Sequence, residues 1–113
     1  MDVAELLDEL INFGQHDWIP LWMIVDDVES ELDPDDEEAT LELVLTLAEG
    51  LMRSGFLAGE VPIASAAYFT AWPSQEPSAV REYIRREWNK RGGRPEWGES
   101  PWFAALRCAS GHA

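Results

Sequence analysis

The sequence predicts an α+β fold that is mostly helical and forms a single domain over residues 1–113. A chain of this length with 46% apolar residues and six tryptophans can bury one independent core. Apolar residues recur at spacings of three and four in four segments, which predicts four helices. One further segment alternates large and small side chains, which predicts two short strands.

Two amphipathic helices are predicted at the start of the chain. Asp2 can cap the first helix, which ends at Gly14. The stretch "HDWIPLWMIVDDVESEL" opens the second helix, with Pro20 in its first turn. Its apolar face consists of Leu21, Ile24, Val25, Val28 and Leu32.

The third helix is predicted to lie at the centre of the fold. The stretch "LDPDDEE" supplies Asp33 as N-cap, Pro34 at the first helical position, and Asp35 and Asp36 in the first turn. There the two carboxylates meet the positive end of the helix dipole. The helix runs to about Ser54, and apolar residues cover most of its circumference. Its narrow polar stripe consists of Asp35, Glu38, Glu42, Thr46 and Glu49.

A hairpin and a fourth helix are predicted next. "GFLAGEVPIASAAYFTAWP" reads as two short strands over about 56–71, joined by a small-residue loop near Pro62. "SQEPSAVREYIRREWNKRGG" predicts a helix over 74–92, with Ser74 as its cap and glycines at its end.

The C-terminal stretch "RPEWGESPWFAAL" is rich in tryptophan and proline and has no clear period. We expect residues 93–113 to form a packed or partly disordered tail that returns Trp97, Trp102 and Phe103 to the domain. The single cysteine, Cys108, excludes an internal disulfide and fits a reducing compartment.

Three helices followed by a hairpin resemble the winged-helix superfamily over residues 2–72. The helix around "WIPLWMIVDDV" and the longer helix after it resemble the helix-turn-helix pair of that superfamily, and the hairpin resembles the wing. The superfamily commonly binds DNA through its third helix. Here that helix is acidic, with only Arg53 at its far end. Winged helices without a basic face typically serve as protein-interaction modules, which is what the resemblance implies here. The C-terminal stretch resembles small bacterial proteins of the toxin-immunity type.

The net charge of −14 is distributed unevenly along the chain. Residues 1–50 carry sixteen acidic and no basic side chains, whereas residues 51–113 carry six acidic and eight basic ones. Nine of the carboxylates fall within residues 26–38. Such a field repels nucleic acid and anionic membranes, and it attracts basic proteins and speeds their encounter.

Neither a metal site nor a catalytic site is predicted. In the calcium-loop reading of "DPDDEEATLELV", position six is Glu38 instead of glycine and position twelve is Val44 instead of glutamate. His16, His112 and Cys108 lack zinc-binding spacing. The solvated acidic run offers no pocket that would shift a catalytic carboxylate, so we expect no cofactor and no enzyme activity.

Membrane association and export are also not expected. The acidic, amphipathic start is unlike a signal peptide, and no apolar run approaches the roughly 20 residues that a membrane span needs. We therefore expect a cytoplasmic protein.

The fourth helix is locally basic, through Arg81, Arg85, Arg86, Lys90, Arg91 and Arg94. One interpretation is a nucleic-acid patch in which Trp88 and Trp97 stack on bases. The other is pairing within the molecule, against the acidic N-terminal half, and the sequence favours this second interpretation.

The leading functional hypothesis is an acidic module that binds and neutralises a basic protein, such as a toxin or nuclease, as an immunity protein does. An aromatic anchor beside the acidic face would supply the buried contact. The predicted partner-binding residues are Trp22, Asp26, Asp27, Glu29, Glu31, Glu38 and Glu42. One alternative is a winged-helix DNA-binding regulator that uses its fourth helix and wing, and another is a DNA mimic or phage-type inhibitor.

Overall fold

The computed structural model describes residues 2–32, 36–61, 68–93 and 101–106. Helix α1 spans Val3–Gly14 and begins at the predicted cap. The Asp2 carboxylate accepts a hydrogen bond from the Ala4 N–H at 3.0 Å, which satisfies one of the free donors of the first turn.

A short strand, β1, spans Ile19–Pro20 and precedes helix α2, which spans Leu21–Glu29. The sequence did not predict this strand, because two residues are too few to show an alternating pattern. Pro20 is the N-cap of α2 instead of a first-turn residue, so the predicted start of the helix was at least one residue early. Proline is tolerated there because that position needs no intrahelical N–H donor.

Helix α3 spans Glu37–Arg53. Its N-cap is Asp36, whose carboxylate accepts a hydrogen bond from the Ala39 N–H at 3.0 Å. The prediction that Asp33 caps this helix was therefore wrong, and residues 33–35 lie outside the described part of the chain. Several consecutive acidic residues can each act as a cap, and the spacing alone does not choose among them.

The position of α3 at the centre of the helices agrees with its apolar circumference. It contacts α1, α2, α4 and β2. Seven of its residues are buried, namely Thr40, Leu41, Val44, Leu45, Leu47, Ala48 and Leu51. Glu38, Glu42 and Thr46 of the predicted polar stripe are exposed.

Within the described residues the sheet has four antiparallel strands, in the order β1-β4-β2-β3. Strand β2 spans Phe56–Glu60, β3 spans Thr70–Ala71, and β4 spans Trp102–Ala105. The β2–β3 pair aligns Gly59 with Ala71, which fits the hairpin predicted over about 56–71. Residues 62–67 of the predicted loop lie outside the described part.

Strand β4 lies within residues 93–113, for which a packed or partly disordered tail was expected. It pairs with β1 on one side and β2 on the other, so it holds the centre of the sheet. Phe103 is fully buried and Trp102 is half-buried, while Trp97 lies outside the described residues. The range 2–72, over which the winged-helix resemblance was drawn, therefore does not contain the whole sheet.

Helix α4 spans Pro77–Arg91. Its N-cap is Glu76, so the prediction of Ser74 was two residues early. Ser74 Oγ instead accepts a long 3.4 Å hydrogen bond from the Glu76 N–H. The helix ends at Gly92, whose φ of 81° is in the left-handed region that favours glycine.

The two faces of the sheet bury different side chains. Phe56, Ala58, Phe103 and Ala105 pack against the helices in the main core. On the opposite face a smaller cluster contains Trp18, Val61, Phe69 and Ala104. The α+β class and its four helices are thus confirmed.

Candidate functional site

Carboxylates from α1 and from the end of α2 form one acidic surface. A shallow concavity of about 130 Å³ is lined by side chains of both segments. Its lining residues are Asp2, Glu5, Leu6, Glu9 and Glu31. We refer to Asp2, Glu5 and Glu9 on the α1 side, together with Asp26, Asp27 and Glu31 on the α2 side, as the acidic surface.

The electrostatics of Asp27 show that the two groups of carboxylates face one another. Burial raises the pKa of the Asp27 carboxyl, and the negative charges of Glu9 and Asp26 raise it further. Glu9 is on α1, whereas Asp26 precedes Asp27 on α2. Within the described residues, no lysine or arginine forms an ion pair with Glu5, Glu9, Asp27 or Glu31. The charges of Glu9 and Asp27 therefore repel one another, and no described lysine or arginine pairs with either of them.

The predicted site residue Glu42 lies elsewhere, on the side of α3 that faces α4. Its carboxylate is 3.1 Å from Arg85 Nη2 and 3.9 Å from Arg81 Nη2. Arg81 also reaches Glu49, at 3.5 Å. Charge pairing within the molecule, the favoured interpretation of the basic fourth helix, is thus present. Glu42 is already neutralised in part by its own chain.

Glu38 also belongs to the α3–α4 side of the molecule. It is exposed and lines a groove of about 460 Å³ together with Leu41, Arg85 and Trp88. The structure therefore divides the seven predicted residues. Asp27 and Glu31 lie beside the α1 carboxylates and Asp26 precedes Asp27 on α2, whereas Glu38 and Glu42 lie elsewhere.

The remaining predicted residues differ in exposure. Trp22 is half-buried, as its place at the flank of the apolar face of α2 predicted. Its Nε1–H is buried and has no hydrogen-bond acceptor among the described residues. Asp26 and Glu31 are exposed and Glu29 is half-buried. Trp22 lies one helical turn from Asp26, so an aromatic side chain adjoins the acidic surface.

Three members of the acidic surface were missed from the sequence: Asp2, Glu5 and Glu9. The carboxylates of α1 are more widely spaced than the nine over 26–38, so α1 does not stand out as acidic in the sequence. A signal was nevertheless present, because Glu5–Glu9 and Asp27–Glu31 are both spaced i,i+4. Glu5 and Glu9 therefore fall on one side of α1, whereas Glu31 lies two residues beyond the end of α2, and packing of the two segments brings these carboxylates together.

Several other predictions concern residues outside this surface. Trp88 is buried in the main core, so the interpretation in which it stacks on bases is wrong. Trp97, Arg94, Cys108 and His112 lie outside the described residues. Among the residues that are described, no group of three or more histidine, cysteine, aspartate or glutamate side chains is placed to hold a metal ion. No helix in that same part of the chain is long and apolar enough to cross a membrane.

Comparisons with known proteins do not place the chain in a family. No protein-family model matches the sequence, and neither a curated protein nor a solved structure matches it.

Proposed function

We propose that this protein is an acidic interaction module that binds and neutralises a basic protein through the acidic surface. The observation that carries the proposal is the convergence of carboxylates from α1 and from the end of α2, among which Glu5, Glu9, Asp27 and Glu31 form no ion pair with a described lysine or arginine. A basic partner would supply the missing cations. It would also remove the repulsion that now acts between the two helices.

The energetics of α2 support this proposal. Asp26, Asp27 and Glu29 stand in the last turn of the helix, at the negative end of its dipole. Each such charge typically destabilises an exposed helix by about 0.3–1 kcal/mol. Burial of Asp27 adds a further penalty, which appears as its raised pKa. This surface lowers the stability of its own fold. Acidic groups at less costly positions would provide the same solubility, so a binding role explains the surface better than solubility does.

The proposed mechanism has two parts. The acidic surface steers a cationic partner toward the module and raises the association rate. Trp22, half-buried beside Asp26, supplies the aromatic contact that slows dissociation. A module of this kind would neutralise a toxin or nuclease by covering the cationic cleft that holds its substrate. We place such an immunity protein in the cytoplasm.

We also propose that the helices and hairpin form a winged-helix-like arrangement. The order of α1, α2 and α3 followed by the β2–β3 hairpin supports it. DNA binding through α3 is not favoured, because α4 packs along this helix and its exposed side chains include Glu37, Glu38 and Glu42. A DNA-binding regulator that uses α4 and the wing stays an alternative. A second alternative, a DNA mimic, shares the acidic surface and differs only in the class of its partner.

A pull-down with matched charge variants tests the proposal. The first variant carries Glu5→Gln, Glu9→Gln and Glu31→Gln, which neutralises three positions of the acidic surface. The second carries Glu38→Gln, Glu76→Gln and Glu82→Gln, which changes the net charge equally but lies on α3 and on or beside α4. Each bait is incubated with nuclease-treated lysate at low and at moderate salt, and captured proteins are identified by mass spectrometry.

We expect one basic protein at stoichiometric level with the wild type and the second variant, retained at moderate salt, and its loss with the first variant. Equal capture by both variants would remove the acidic surface from the mechanism. If no protein is captured and a fluorescent DNA duplex binds the purified chain instead, a DNA-binding regulator replaces this proposal. If the captured protein binds DNA but is not a nuclease, and that duplex releases it, the module is a DNA mimic; a nuclease held through its cleft would be released by the duplex as well.

A further inference from the structure

An open groove of about 1110 Å³ runs along α4 beside the C-terminal half of α3. Apart from Pro77, only charged and polar side chains line it. Five of them are cationic, namely Arg53, Arg81, Arg85, Arg86 and Lys90. Three are acidic, namely Glu49, Glu76 and Glu82. The lining of the groove therefore has a net charge of +2. Because the whole chain has a net charge of −14, the residues outside the groove carry a net charge of −16.

The arginines of this groove are held in position but keep free hydrogen-bonding capacity. Four ion pairs join them to Glu42 and Glu49, and only the Arg53–Glu49 pair, at 2.8 Å, is also a hydrogen bond within the described residues. Arg81 stands 3.5 Å from one carboxylate and 3.9 Å from the other. A guanidinium carries five N–H donors, so most of them remain available to a ligand.

The outer rim of the groove is cationic as well. The guanidinium carbon of Arg86 lies 5.8 Å from the centre of the Tyr83 ring, a cation–π contact that restricts the side chain. Lys90 follows Arg86 one helical turn later and is exposed. Ser78 and Asn89 also line the groove and add neutral donors.

From these features we propose that the α3–α4 groove binds a compact phosphorylated molecule. Planar guanidinium groups pair with two phosphate oxygens at once, and several arginines around one groove suit a multiply charged phosphate group. Apart from Pro77 the lining side chains are charged or polar, which favours a charged ligand over an apolar one. The charge of −16 on the remainder of the chain repels a long polyanion such as nucleic acid, whereas a small anion can sit within the groove. This site uses other residues than the acidic surface and does not depend on it.

Titration with inorganic pyrophosphate at constant ionic strength tests this site, with calorimetry for affinity and ¹H–¹⁵N NMR spectra for location. The test variant carries Arg86→Ala and Lys90→Ala, neither of which takes part in an ion pair among the described residues. The control is Arg91→Ala, on the same helix but outside the lining of the groove. We expect saturable one-to-one binding, with amide shifts along α4 and the end of α3. The double variant should weaken binding about tenfold or more, and the control less than about twofold.

Three results would overturn the proposal. The first is an absence of saturable binding, and the second is equal weakening by Arg91→Ala, which would indicate a general effect of charge. The third is tighter binding of an acidic peptide than of pyrophosphate at the same charge and ionic strength, which would make the groove a docking surface for a protein.

Discussion

Substitution of Gln75 by alanine should destabilise the fold more than its half-exposed loop position suggests. The side-chain amide of Gln75 acts as a further rung of the β2–β3 ladder. Its Oε1 accepts from the Ala58 N–H at 2.9 Å, and its Nε2 donates to the carbonyl oxygens of Ala58 and Trp72, each at 2.9 Å. Ala58 is fully buried, so water does not reach its backbone easily.

The expected loss of stability follows from the groups that Gln75→Ala leaves behind. The Ala58 carbonyl keeps a hydrogen bond from the Trp72 N–H at 3.0 Å, but the Ala58 N–H loses its acceptor. A buried donor without a partner costs about 1–3 kcal/mol. For a domain of this size about 1 kcal/mol corresponds to a fall in Tm of about 4 °C, so a loss of about 2 kcal/mol lowers Tm by about 8 °C.

Thermal and urea denaturation followed by circular dichroism measure this loss, and hydrogen exchange at the Ala58 amide locates it. The matched control is Gln15→Ala, which removes a half-buried glutamine whose Nε2 donates to the Ile11 carbonyl at 3.2 Å. We expect the control to cost less than about 1 kcal/mol, because that bond is only partly buried and water can replace the lost donor. Equal losses in the two variants, or unchanged exchange protection at Ala58, would refute the reasoning.

Three further predictions concern the core and the charges. Asp27→Asn should raise stability at pH 7, because the raised pKa of Asp27 means that its ionisation opposes folding. The gain should shrink as the pH falls through the raised pKa toward 3.8. Urea midpoints across this pH range test the sign, with Asp8→Asn at an exposed position as the control. Gly14→Ala should cost about 1–3 kcal/mol of stability, because the new Cβ would clash with the buried Phe56 ring. Gly50→Ala should change stability by less than about 1 kcal/mol, because the gain in helix propensity offsets the displacement of the flexible end of Leu7. Thermal denaturation of the two variants compares these losses. Glu42→Gln should cost less than about 1 kcal/mol, with a smaller effect at high salt, because its pairs with Arg81 and Arg85 are largely exposed, and urea midpoints at two salt concentrations measure this.

The helices were predictable because each repeats its apolar residues over two turns or more. Leu6 and Leu10 in α1, and Val80, Ile84 and Trp88 in α4, are all buried at the expected spacing. Helix boundaries were less predictable. Asp33 and Asp36 are both suitable caps by chemistry, and packing rather than local preference determines which one is used.

The centre of the sheet could not be predicted from local pattern. Strand β4 contains four residues with adjacent apolar side chains that are buried on both faces of the sheet, so it shows no alternation of apolar and polar residues. Its partners β1 and β2 are about 80 and 40 residues away in sequence, and pairing over such distances leaves no local signal. The same limit applies to the acidic surface, where the contribution of Glu9 depends on how α1 packs beside α2.

The arrangement of charge around α3 separates two explanations of the acidity of this protein. On the side facing α4, Glu42 and Glu49 are paired with arginines, so their charges stabilise the packing of the helices. On the side of α1 and α2 the carboxylates repel one another, and Asp27 is partly buried while it bears its charge. Solubility requires only a high net charge and does not depend on where in the structure the charged residues lie. A binding role requires the charges to remain at this surface despite their cost. Neutralising Glu5, Glu9 and Glu31 should therefore stabilise the fold and abolish partner capture together, whereas acidity that serves solubility alone predicts the first effect without the second.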